Sequence, residues 1–405
     1  MPNYNKTRIA CYMGYVVQAI VNNLIPLLFI IFQDSYGITF EMLGRLILIN
    51  FITQLVVDML TVRYVDKIGH RRCVVLAHLF CFLGLLMLGI LPAIMKNKYA
   101  GILASVVVYA VGGAIIEVLI SPISDALPGD KKTASMSLLH SFYSWGQVGV
   151  ILVTTLILAA IDYNHWYYIP AFWSIIPFYN MIRFMKVPLA PPIPVEEKTK
   201  VRELFSSKGF LVMLLVMTCG GASEMTMAQW ASLFAEKGLG VNKAMGDILG
   251  PCLFGLLMGL GRTFYGVVGE KIKLKTALVC SGALAMVCYL AVSLLHIPLI
   301  SLLFCAICGF AVSIMWPGIL SLSGKSFPKG GTTMFGILAV AGDLGCATGP
   351  WIVGIVSDLT VNKISLPSSF VFGVEGGLSF GLLVAAVFPL VITFGLGFSK
   401  KLAKK

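Results

Sequence analysis

The sequence predicts an all-α membrane protein of twelve transmembrane helices in two pseudo-symmetric six-helix halves, with both termini cytoplasmic. Three observations predict it. The 405 residues are 58% hydrophobic and only 12% charged, with a mean hydropathy of +0.91, so polar surface is too scarce for a soluble domain. Apolar stretches of roughly 20 residues, the length that crosses a bilayer core, recur along the whole chain. Of the 30 Lys and Arg residues, 24 fall in alternate segments between these stretches and six in the others, which puts the richer set in the cytoplasm.

In order, the spans are expected over residues 9–33, 42–64, 73–95, 99–124, 134–161, 166–185, 209–235, 245–269, 276–296, 298–322, 332–357 and 373–398. Helices are expected because each satisfies its own backbone groups in lipid, and the period-two alternation of a barrel is missing. The first stretch is long and lacks a small-residue cleavage site, so it reads as a span rather than a signal peptide. Residues 186–208 turn Pro-rich and charged, with Pro188, Pro191, Pro192, Pro194, Glu196, Glu197 and Arg202. This is a cytoplasmic linker between an N-terminal bundle, residues 1–185, and a C-terminal bundle, residues 209–405.

The two halves echo each other. Pro122 is followed by Lys131, Lys132 and Gly146, as Pro317 is followed by Lys325, Lys329, Gly342 and Gly345. A charged turn at Asp66, Lys67, Gly69, His70, Arg71 and Arg72 has its counterpart at Gly266, Glu270, Lys271 and Lys273. Paired six-span repeats place a substrate site near the bilayer midplane.

Acids at bilayer depth are the first site candidates, because an ionised group there is costly unless it has a use. At about 1.5 Å of rise per residue, Glu117, Asn22 and Asp343 each lie roughly 21 Å from the nearest inner charge, in one layer, and His140 about 12 Å in. Glu117, with His140 as neighbour, is the candidate for binding and releasing a coupling cation; Asp343 is a second. Their structural alternatives are a protonated acid bonding to a neighbouring helix, a neutral core histidine and a close helix contact. Glu224, beyond the midplane, is a binding or outer-gate candidate. Gln18, Asn22, Asn23, Gln147 and Gln229, with Trp145, Trp230 and Trp316 inside spans, complete a polar and nearly uncharged substrate-binding set together with Glu117, His140 and Glu224. Aromatic faces beside amides and carboxylates suit a sugar. Each Trp alone is more often packing.

At the cytoplasmic ends, Asp58 is expected to pair near Arg63. Asp66 with Arg71 and Arg72, and Glu270 with Arg262, are expected to latch the halves or simply to set topology. No Arg or Lys lies securely within a span apart from Arg45 and Arg262 near the ends, so organic phosphates, which need a cation, fit poorly. The net charge of +12 belongs to topology and implies no nucleic-acid partner. The ten Cys are scattered as small apolar residues, and Cys305 with Cys308 is a weak metal motif inside an apolar helix. No phosphate-binding glycine loop argues for ATP drive. Neither a cofactor, a metal nor an enzymatic centre is expected.

The turn after the second span resembles the loop signature of the major facilitator superfamily, with Val62 in place of its leading Gly, and Glu270 and Lys273 as departures in the second half. Within that superfamily, GGAIIEVLISPISDALPGD with LLHSFYSWG, and SIMWPGILSL with GILAVAGDLGCATGPWIVGIVSD, resemble the fucose/glucose/galactose:proton symporter family. The resemblance implies a proton-accepting acid at Glu117, a sugar-binding position at His140 and the paired amides at Asn22 and Asn23. The family's first-span acid has no counterpart, since Pro26 lies at about its place. The expected function is uptake of a hexose-like monosaccharide by alternating access, coupled to a proton or Na+, by a monomer in the plasma or inner membrane. The alternatives are proton-antiport export of amphipathic drugs or metabolites and a receptor-like, non-transporting role.

Overall fold

A computed structural model describes residues 4–128, 132–161, 163–190, 201–268, 273–295, 297–327, 331–363 and 376–398. Its helices are α1 (Tyr4–Leu27), α2 (Phe29–Tyr36), α3 (Phe40–Ile68), α4 (His70–Ile94), α5 (Lys98–Asp125), α6 (Lys132–Ala160), α7 (Tyr168–Lys186) and α8 (Val201–Phe205). They continue with α9 (Lys208–Leu233), α10 (Lys243–Asp247), α11 (Leu253–Val268), α12 (Leu274–Leu294), α13 (Pro298–Val312), α14 (Met315–Ser326), α15 (Gly331–Lys363), α16 (Gly376–Ala385) and α17 (Val387–Phe398). Eleven stretches among the described residues are long and apolar enough to cross a membrane. The sixth expected span, residues 166–185, is occupied by α7, a 19-residue helix with Pro177 inside it and Arg183 and Lys186 in its last turn.

Proline accounts for several of the breaks. It has no N–H for the carbonyl four residues back, and its ring crowds that carbonyl. Pro317 faces Ser313, where α13 gives way to α14, and Pro389 faces Ala385, where α16 gives way to α17. Pro251 sits in the π-helical turn Ile248–Cys252, and Pro26 frees the carbonyl of Asn22 just before α1 ends at Leu27. A left-handed Gly37, φ +62°, then closes α2, which only a residue without a Cβ adopts at no steric cost.

By internal contacts the chain forms two units, one of Met1–Ile38 with Ile49–Val195, the other of Thr39–Leu48 with Glu196–Lys405. In the first unit α4 and α5 touch backbone to backbone: a Cβ on Gly112 would lie 2.3 Å from the Ala77 carbonyl oxygen. Small residues permit such approach where lipid supplies no hydrophobic drive. His78 is fully buried there, its Nδ1 2.7 Å from the Val74 oxygen, while Asn180 Nδ2 donates to His78 Nε2 at 2.9 Å and to the Ala10 oxygen at 3.0 Å. These bonds tie α4, α7 and α1.

In the second unit α9 lies against α15. A Cβ on Gly345 would meet the Thr218 oxygen at 1.8 Å, and Trp230 Nε1 donates to the Pro350 oxygen at 2.9 Å. The start of α3 belongs to this unit. Asp358 of α15 accepts from the Phe40 and Glu41 N–H groups at 3.1 and 2.7 Å, and Trp351 Nε1 donates to Glu41 Oε1 at 3.0 Å. Asp358 thus acts as an N-cap supplied from another helix.

Candidate functional site

The first unit holds a continuous chain of side-chain hydrogen bonds. Gln18 and Asn22 are one turn apart on α1, Asn50 and Gln54 one turn apart on α3, so two ladders of amides face each other. Gln18 Nε2 donates to Gln54 Oε1 at 3.0 Å, Gln54 Nε2 to Asn22 Oδ1 at 2.9 Å, and Asn50 Nδ2 to Asn22 Oδ1 at 3.3 Å. At the other end Gln18 Nε2 donates to Glu117 Oε2 of α5 at 2.9 Å. All four amides are buried, while the Glu117 side chain is exposed at the end of the chain.

Room for this chain comes from glycine. A Cβ on Gly113 would stand 3.2 Å from Gln18 Oε1 and 3.0 Å from Val21 Cγ1, tighter than ordinary contact, so a larger residue would press on the Gln18 amide. Gln18 Oε1 is itself buried and without a partner among the described residues, as is Asn50 Oδ1.

Interhelical side-chain bonds in membranes contribute about 0.6 kcal/mol each, so the four return roughly 2–3 kcal/mol. Three of them join α1 to α3, and the fourth joins α1 to the acid on α5.

His140 joins the same region through Tyr15. The two rings lie 4.9 Å apart at 58°, and the Tyr15 hydroxyl is 2.8 Å from Ser121 Oγ, one helical turn beyond Glu117. The sequence reading omitted Asn50, Gln54, Tyr15 and Ser121. The amide pairs at i, i+4 in two apolar spans were the signal that could have found Asn50 and Gln54.

Other candidates sit elsewhere. Gln147 is buried in α6, and Trp145 is 56% exposed, so its ring lies outside the buried amide chain. Asn23 donates to the Ala19 oxygen of its own helix at 2.9 Å. Trp230 is fully buried and engaged with the Pro350 oxygen, and Gln229 Nε2 reaches Met225 Sδ at 3.2 Å. Trp316 of α14 packs on α15, with its ring 2.5 Å from where a Gly342 Cβ would be; Asp343 is the next residue and half-buried.

The basic candidates also have definite places. Arg71 donates to the Phe184, Met185 and Val187 oxygens at 2.8, 3.0 and 2.8 Å, satisfying the last carbonyls of α7. Arg72 is exposed and Asp58 half-buried. Arg262 was expected beside Glu270 at a cytoplasmic end. Its Nη2 donates to Glu224 Oε1 of α9 at 2.9 Å. The side chain of Asp66, and Glu270 altogether, lie outside the described residues. Lys243, at the start of α10, is buried with its Nζ 3.2 Å from Asp247 Oδ2.

Comparison with known proteins then decides the family. Residues 11–350 match the Major Facilitator Superfamily. The chain belongs to the major facilitator superfamily. This major facilitator is therefore a multi-pass membrane transporter and not an enzyme. A comparison with curated protein sequences gives no match. Among solved structures, its fold is similar to a D-xylose-proton symporter, with a TM-score of 0.78 at 13% identity over 99% of this chain and 98% of that one. It is similar to the nucleoside transporter NupG, with 0.77 at 11% identity over 98% and 99%. It is also similar to the E. coli fucose:proton symporter FucP, with 0.61 at 16% identity over 98% of each. At these identities the likeness is one of fold.

Proposed function

We propose that this transporter moves a hexose-like monosaccharide by alternating access in symport with a proton carried by Glu117. The observation that carries the reading is the amide chain ending on that acid. An ionised Glu117 accepts from Gln18 Nε2. A protonated Glu117 donates instead, and rotation of the Gln18 amide presents Oε1, now unpartnered, to receive it. Both charge states thus have a partner, as a group that binds and releases a proton requires.

The same rotation passes down the chain. Gln54 then donates to Gln18, and Asn22 to Gln54 and to Asn50, whose Oδ1 is likewise unpartnered. Protonation of Glu117 in this way reverses the polarity that Asn22 offers. Amides and an acid with little net charge suit a neutral polyol, whose hydroxyls both donate and accept. The D-xylose and fucose symporters among the similar folds are named for sugars and protons, which supports the same class. His140 and Asp343 are secondary candidates for the coupling ion, with Na+ as the other ion to test.

The test is proton entry. Reconstituted into vesicles containing a pH-sensitive dye, the protein is expected to acidify the lumen when D-glucose, D-galactose, L-fucose or D-xylose is added outside. Sugar flux without acidification refutes proton coupling, and absence of flux for all four refutes the sugar class.

A further inference from the structure

The second unit carries a charge pair that the proton step above does not use. Glu224 of α9 and Arg262 of α11 are 2.9 Å apart, with side chains 12% and 30% exposed. Counted from the turn joining their helices, at residues 238–243, they lie roughly 21 Å and 28 Å along their spans. The arginine bridges the difference. Glu224 is therefore deep in its span, and the guanidinium reaches it from Arg262, whose backbone is near the inner end of its own.

Among the described residues Arg262 makes one hydrogen bond, and its Nε is buried with no acceptor. A guanidinium carries five donors and Nε always donates, so a buried Nε without an acceptor among the described residues is a donor that a ligand oxygen would satisfy. Beside it stands a carboxylate with lone pairs to spare. Donor and acceptor side by side match two adjacent hydroxyls, one oxygen accepting from Arg262 while the other O–H donates to Glu224. The pair has no net charge. A carboxylate or phosphate ligand would leave an uncompensated negative charge at bilayer depth, whereas a neutral diol would not.

We propose that the Glu224–Arg262 pair is a recognition site for a vicinal diol, the adjacent hydroxyls of a neutral monosaccharide. This rests on the sugar reading above and names the hydroxyls that the pair would hold.

The test uses the full chain in detergent and in vesicles. The probes are D-glucose, D-galactose, L-fucose and D-xylose, their single-deoxy analogues, and the uronates of the first two. Binding is read by thermal shift titration and transport by counterflow. For the sugar that binds best, deleting one of two adjacent hydroxyls is expected to weaken binding roughly 10-fold or more, the scale of a hydrogen bond to a charged group. In Arg262→Gln and Glu224→Gln the parent sugar weakens comparably, and the deoxy penalty shrinks to about 3-fold or less, as coupled partners require. Arg262→Lys keeps the charge without the planar fork and is expected to lose the same discrimination. It serves where the Gln variant fails to fold. A deoxy penalty that persists in these variants, or a uronate that binds tighter than its parent, overturns the proposal while the sugar reading stands. If no neutral sugar binds the wild-type chain, the sugar reading itself falls.

Discussion

Replacing Glu117 with Gln separates coupling from transport. The substitution keeps a side-chain oxygen for Gln18 Nε2, which now donates to the carboxylate at 2.9 Å. It exchanges a charged acceptor, worth about 1.5–3 kcal/mol, for a neutral one worth about 0.5–1.5 kcal/mol. A loss of about 1 kcal/mol leaves the unit folded. The functional loss is far larger. One charge moving through a 100 mV potential releases about 2.3 kcal/mol, which sustains roughly a 50-fold sugar gradient at one proton per sugar. The assay imposes that potential on vesicles and follows labelled sugar inward, with counterflow at zero potential as the control. Glu117→Gln is expected to exchange sugar yet to stop near equal concentrations inside and outside. Accumulation at the wild-type level would refute the role of Glu117 and the amide chain built on it.

Three further outcomes are expected. Gln54→Leu removes the acceptor for Gln18 and a donor to Asn22. Buried polar atoms then lose their partners at about 1–3 kcal/mol, read as a lower unfolding temperature in detergent together with reduced counterflow. Arg71→Ala strips three bonds from the end of α7. It is expected to lower the unfolding temperature by an amount equivalent to roughly 2 kcal/mol, with partial recovery in Arg71→Lys, which retains donors but not the fork. Asp358→Ala uncaps the start of α3, costing about 1 kcal/mol. Faster deuterium uptake at the Phe40 and Glu41 amides is the measurement.

The spans were legible in the sequence because lipid leaves the backbone few choices. A long apolar run has to satisfy its own N–H and C=O groups, so hydropathy alone nearly places each helix. The breaks at Pro317 and Pro389 have an equally local reason, a missing N–H and a crowded carbonyl, though the expected spans ran through them unbroken. Glu117 stood out because a lone acid in an apolar run is costly wherever it points.

What surrounds Glu117 depended on the tertiary structure. Its partner Gln18 is 99 residues away, and Gln54 is 36 residues from Gln18. Whether such side chains meet depends on the rotation of each helix about its axis, which packing contacts such as Gly112 against Ala77 decide. Hydropathy cannot resolve that rotation where a helix is apolar on every side. Arg262 makes the same point from the other direction. Its place in the sequence did not reveal its bond to Glu224, which lies on another helix 38 residues away. The sequence by itself determined the membrane class, the spans and the conspicuous acid, all consequences of local solvation. Only the tertiary structure decided which polar groups share a bond, because that depends on which faces of distant helices come together.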